Sequence, residues 1–301
     1  MSQENNENKI EITSKDVNLI SAGFSGSGLG HGNGANLAPM KIIEKLKDKF
    51  TNESGNEPKF KTIDLNKKLD EHNVIDSHLE IEKCVSSIES NNFCILIGGD
   101  HSVTYPSVNG FVKNQFIKNK LIKNKNINDK KNNYNKDFLF IVFDAHPDLI
   151  DDFKPPTQED YLKVLIEEDI VKPENVIIVG VRNWDKIEIN YLNEKNIIYF
   201  DMKTIFNKSV KKITNEIIDI INKKELDIYL SLDIDVVDPV EAIGTGYTEH
   251  GGLSSRELIY MIQEIVATKK LLMADIVEVN PSKDINDMTS ELAAKLIMEL
   301  I

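Results

Sequence analysis

Three short segments of this chain carry side chains that can do chemistry. Asp144-Ala145-His146-Pro147-Asp148 follows an apolar run, Phe138-Leu139-Phe140-Ile141-Val142. Strand side chains repeat every two residues, so Asp144, His146 and Asp148 can converge on one point at the strand's carboxyl end. Two carboxylates and an imidazole at that spacing suit a divalent cation. Alone, the pattern is short, and a polar loop after a strand would explain it equally well. Leu230-Ser231-Leu232-Asp233-Ile234-Asp235 repeats the arrangement, with Asp233 and Asp235 on one face. Ile95-Leu96-Ile97-Gly98-Gly99-Asp100-His101-Ser102 is a third apolar run that stops at a ligand-type residue. Open α/β sheets bind ligands outside the carboxyl ends of their strands, and three such endings together argue for a site.

The gathered ligand types are His101, Asp144, His146, Asp148, Asp233 and Asp235. They are too many for one ion without bridging, and two divalent cations would cancel the charge of the four carboxylates. Such pairs sit roughly 3.5–4 Å apart with carboxylates spanning both. Oxygen-rich ligation with a little nitrogen suits Mn²⁺ better than Zn²⁺. An ion pair of this kind makes water a nucleophile near neutral pH, which points to hydrolysis.

The elements that must position these residues follow from the pattern of apolar runs. Strands are expected at 17–23, 60–65, 93–97, 138–142, 176–181, 197–200, 228–232 and 271–279. Helices are expected at 39–50, 76–90, just before a Lys/Asn-rich stretch that begins near 113, and at 158–168, 210–223 and 254–268, with one more at the C-terminus. Ser254 followed by Glu257 reads as a capping box. Eight strands alternating with helices predict an α/β fold of three layers, α/β/α, around a mainly parallel sheet. Residues 1–15 read as a loosely attached arm. No linker divides 16–301, which reads as one domain with a Lys/Asn-rich insertion near 113–136.

Composition narrows the class. The chain has 301 residues, 41% of them hydrophobic, and a formal charge of −13. That charge argues against nucleic-acid or anionic-membrane partners. No apolar run approaches the roughly 20 residues that span a bilayer, and the N-terminus is too polar for a signal peptide. Cys84 and Cys94 make no disulfide framework, so a soluble, reducing, cytoplasmic setting is expected. The glycine-dense loop from Gly26 to Gly34 superficially suggests a dinucleotide fingerprint, but no acidic residue completes it, and a flexible active-site loop fits better. His31 there reads as a loop residue, and His72 and His78 as solvated.

Gly98-Gly99-Asp100-His101-Ser102, Asp144-Ala145-His146-Pro147-Asp148 and Ser231-Leu232-Asp233-Ile234-Asp235-Val236-Val237-Asp238-Pro239, in that order, resemble the three signatures of the ureohydrolases: arginase, agmatinase and relatives. The resemblance implies an arginase-like fold, two Mn²⁺ ions per subunit, and hydrolysis of a small guanidino substrate to urea and an amine. It implies that Asp144 and Asp233 bridge the ions, with His101 and Asp148 completing one site and His146 and Asp235 the other. It further implies that Glu278, in Val277-Glu278-Val279-Asn280-Pro281, grips the guanidinium beside Thr245, and that the chain forms a homotrimer or homohexamer. Without it, Glu278 would read as a strand-end carboxylate in an ordinary ion pair. Asp275 reads as structural.

The chain departs from the family in one place. No His occurs between Leu149 and Val171, where arginases and agmatinases carry the one that assists proton transfer. Gln158 lies there but cannot act as acid or base. His250 is the substitute considered, so Asp148, Glu278 and His250 are the candidates for catalysis. Glu278, Thr245, Asp185 and Asp152 are those for substrate binding. Leu149-Ile150-Asp151-Asp152 stands where arginases place an Asn for the substrate carboxylate. Acidic residues there suit a second amine, so agmatine is the expected substrate. Arginine, a formimino compound, or a metal-binding homologue with weak turnover are the alternatives.

Overall fold

A computed structural model describes residues 14–31, 33–88, 93–123 and 137–301. The arm up to residue 13 and the insertion from 124 to 136 lie outside the described residues.

The strands are β1 (Ser14–Ser21), β2 (Glu57–Asp64), β3 (Phe93–Ile97), β4 (Leu139–Phe143), β5 (Val176–Val179), β6 (Ile198–Phe200), β7 (Ile228–Asp233) and β8 (Leu271–Val277). They form one eight-stranded sheet in the order β2-β1-β3-β8-β7-β4-β5-β6. Every pairing is parallel, so the mainly parallel sheet expected is wholly parallel. The apolar runs explain this, because a strand buried on both faces needs no polar side.

Alternation divides the core. Leu139, Ile141 and Phe143 of β4 pack on one face of the sheet, and Phe140 and Val142 on the other. The first face is covered by α1 (Ala38–Leu46), α7 (Val210–Lys224), α8 (Ser255–Ala267) and α9 (Met288–Glu299). The second is covered by α2 (Val74–Ser86), α3 (Thr104–Lys123), α4 (Tyr161–Glu167) and α5 (Lys186–Lys195). Each fully buried Leu, Ile or Phe contributes about 1.5–3 kcal/mol.

Two helices were not expected from the sequence: α5, and α6 (Met202–Lys208). The α5 signal was present as Asp185-x-x-Glu188, which forms a full capping box. The first part of the Lys/Asn segment, 113–123, continues the α3 backbone.

Register brings the chemistry to one level. Ile97 pairs with Ile276, Asp233 with Val277 and Phe143 with Leu232. The four central strands β3, β8, β7 and β4 therefore end together. Neither Gly98 nor Gly99 at this junction has a positive φ. A Cβ on Gly99 would fall 2.0 Å from the Phe24 carbonyl oxygen, so the residue is needed for close backbone approach.

Candidate active site

Six side chains meet where these strands stop. His101 Nδ1 lies 3.1 Å from Asp144 Oδ2, 3.2 Å from Asp148 Oδ2 and 3.2 Å from Asp233 Oδ2. His146 Nδ1 lies 3.0 Å from Asp235 Oδ2 and 3.5 Å from Asp144 Oδ1. Backbone amides orient the carboxylates. Asp144 Oδ1 accepts from His146 N at 2.6 Å, Asp233 Oδ1 from Asp235 N at 2.8 Å, and Asp235 Oδ1 from Ala145 N at 3.0 Å. Each of the three thereby turns its Oδ2 toward a histidine nitrogen.

This arrangement suits divalent cations. His101 Nδ1 and Asp144 Oδ2 are buried and make no hydrogen bond despite being 3.1 Å apart. Such proximity without a bond is expected of lone pairs aimed at a common point. His101, Asp144 and Asp148 form one group with ligand geometry, and Asp144, His146 and Asp235 a second, sharing Asp144. Burial first, then the neighbouring carboxylates Asp144 and Asp235, push Asp148 and Asp233 well above the ordinary carboxylate range. Positive charge from bound ions would relieve that repulsion.

Glu278 stands beside this group in left-handed backbone, φ 62°. Its N–H donates to the Gly99 carbonyl at 2.8 Å, and its Oε1 accepts from His101 N at 2.6 Å. Oε2 faces Gly246, 3.3 Å from where a Cβ would be. Asp148 has positive φ as well, 56°. For non-glycine residues this costs on the order of 1–3 kcal/mol and recurs at functional sites.

A cavity of about 260 Å³ opens over these groups. His101, His146, Asp148, Asp233, Asp235, Glu278, Thr245 and Asp185 all line it. Asp144 lies beneath, 1% exposed. Two expected residues are elsewhere. Asp152 belongs to the exposed stretch 151–154, because the chain leaves the cavity wall after Ile150 and rejoins it at Gln158. His250 is exposed on the turn before Gly251, whose φ is 84°. Neither reaches the cavity wall. Asp185 reaches it, but its Oδ1 accepts from Ile187 N at 2.8 Å as the cap of α5.

The cavity also has walls that sequence reasoning passed over. Gln158 is 4% exposed, and both atoms of its amide lack partners. Its backbone N–H donates to the Ser27 carbonyl at 3.3 Å, tying the loop to the glycine-dense segment. Tyr247 OH donates to Glu159 Oε1 at 2.9 Å, and Trp184 and Ile150 add apolar surface. The glycine-dense loop is tied to the site, since Ser27 N donates to Asp100 Oδ2 at 2.9 Å. His78, expected to be solvated, is buried against Phe24 and Tyr105.

A parallel sheet with clustered carboxylates and imidazoles at its strand ends defines a metal-assisted hydrolase site. The sequence matches the model of the arginase family over residues 15–301. An arginase of Staphylococcus aureus (strain MRSA252) is 30% identical over 293 residues, 88% of this chain and 90% of that protein. An agmatinase of Bacillus subtilis (strain 168) is 28% identical over 223 residues, 73% of this chain and 67% of that protein. The crystal structure of formimidoylglutamase from Bacillus subtilis superposes with a TM-score of 0.81 at 25% identity, covering 96% of this chain and 88% of that one. The chain belongs to the arginase family, the metal-dependent ureohydrolases, which act on linear amidines. Among the described residues no helix is long and apolar enough to cross a membrane.

Proposed function

We propose that this protein is a binuclear manganese amidinohydrolase that takes agmatine and releases urea and 1,4-diaminobutane. One observation carries the choice among guanidino and formimino substrates. Among the described residues the cavity lining contains no lysine or arginine, while Glu159, Asp185, Glu188 and Glu278 contribute carboxylates beyond the ligand set. The neighbouring Arg182 guanidinium is occupied, donating to the backbone carbonyls of Asp235 and Glu249. Arginine, guanidinobutyrate and formimidoylglutamate each bring a carboxylate that this lining would repel. Agmatine brings a second cation.

In this reading His101, Asp144, Asp148 and Asp233 would hold one ion, and His146 and Asp235, together with Asp144 and Asp233, would hold the second. Bound ions would supply an activated water and charge stabilisation at the amidino carbon. Glu278 receives the planar guanidinium through charge-assisted hydrogen bonds, its carboxylate held from behind by His101 N–H. Thr245 Oγ1, buried and otherwise unpartnered, accepts a further N–H and fixes the plane. Asp148 takes the proton of the attacking water and passes it to the departing amine nitrogen.

The test is urea release from agmatine, arginine and guanidinobutyrate, and formamide release from a formimino compound, with manganese supplied and bound metal counted on one preparation. Agmatine is expected to lead by kcat/KM. Arginine or the formimino compound leading would remove the assignment.

A further inference from the structure

If agmatine is the substrate, something must read its distal ammonium. Asp152 is exposed and does not line the cavity, and Asp185 has one oxygen committed to capping α5. Glu159 is half-buried on the cavity wall. Its Oε1 accepts the Tyr247 hydroxyl at 2.9 Å, and among the described residues its Oε2 has no hydrogen-bond partner. A phenol is protonated near neutral pH, so the Tyr247 hydroxyl is the donor in this bond.

The tyrosine sets the distance. Its ring stands edge-on to His146, centroids 5.5 Å apart, and is stacked on its own neighbour His31 at 4.4 Å. Glu159 is therefore one phenol ring away from a metal-ligand candidate. The same cavity is lined by the apolar surfaces of Tyr247, Ile150 and Trp184, which suit a methylene chain and, through the aromatic rings, a cation.

We propose that Glu159, braced by the Tyr247 hydroxyl, binds the terminal ammonium of the substrate and is the residue that selects a diamine-like guanidino compound. This rests on the agmatine reading above. The same carboxylate would hold one end of the departing 1,4-diaminobutane.

The experiment compares the manganese-loaded full chain with its E159Q variant, in which the amide oxygen can still accept from Tyr247. Substrates are agmatine and n-butylguanidine, which keeps the four-carbon chain but ends without the ammonium. E159Q is expected to lower kcat/KM for agmatine at least about tenfold, through KM, and to leave butylguanidine within about twofold. A second readout needs no turnover. The chain has one tryptophan, Trp184 on the cavity wall, so its fluorescence reports titration with 1,4-diaminobutane, and E159Q should shift that midpoint by a similar factor. Equal losses on both substrates, or an undiminished preference for agmatine, would overturn the role of Glu159 alone. A wild-type enzyme that does not prefer agmatine to butylguanidine would overturn the agmatine reading and this inference with it.

Discussion

Ser231 Oγ lies 2.9 Å from His101 Nε2. The serine's own proton is committed, since it donates to Asp275 Oδ1 at 2.6 Å. His101 must therefore donate from Nε2, which leaves a lone pair on Nδ1 facing Asp144, Asp148 and Asp233. Asp275 is anchored in turn by the hydroxyls of Tyr229 and Thr104, at 2.6 and 3.1 Å. A residue that reads as merely structural fixes the tautomer of a ligand candidate two side chains away.

Replacing Ser231 with Ala should weaken manganese binding by about 10–100-fold while leaving the fold intact. Competition against a metal chelator, alongside far-ultraviolet circular dichroism, checks it. Unchanged affinity would mean the serine does not set the tautomer.

Gln158 offers a different separation of stability from activity. Among the described residues its buried amide has no protein partner, so removing it breaks no protein hydrogen bond. Gln158→Leu is expected to keep or raise Tm and to lower kcat/KM about tenfold, the amide being kept for substrate or water. A fall in Tm with unaltered kinetics would assign it a packing role instead.

Burial drives His78 down to about 4 from its ordinary 6.5. Between those pH values the unfolded chain takes up a proton that the folded chain refuses. Stability from this group is thus complete above about 6.5 and declines as pH falls toward 4, by on the order of 3 kcal/mol. His78→Phe, which keeps a ring against Phe24 and Tyr105, should lose less stability than wild type between pH 7 and pH 4.5. Urea midpoints in EDTA at both pH values test this, and parallel losses would count against it.

Stripping the protein with EDTA should lower Tm by several degrees and restoring manganese should recover it, since an ion at 100 times its Kd adds about 2.7 kcal/mol. The physical source is the relief of crowding among Asp144, Asp148, Asp233 and Asp235. Identical melting curves with and without metal would contradict the fit of these residues to an ion.

The strand ends were legible because two signals coincide there: an apolar run that stops, and His or Asp at the stop. The walls of the cavity were not, because their positions are set by partners far along the chain. Gln158 is placed by Ser27, and Glu159 by Tyr247. Asp152 and His250 looked suitable by residue type, but loop composition carries no direction, and both face outward. Asp185 reads by type as a substrate-binding residue, while Asp185-x-x-Glu188 also carries the signature of the helix cap that it forms. His78 sits among polar neighbours in sequence, yet packing turns it inward.

The last strand made, β8, occupies the middle of the sheet, between β3 and β7. During synthesis the strands of β2-β1-β3 and those of β7-β4-β5-β6 therefore lack the strand that joins them until β8 emerges. Glu278 comes at its end, 177 residues after the His101 amide it must meet. Such distant pairing is slow and leaves sticky edges open meanwhile. The nascent protein is most in need of chaperone cover during that interval, and Glu278 takes its place beside the ligand residues only when it closes.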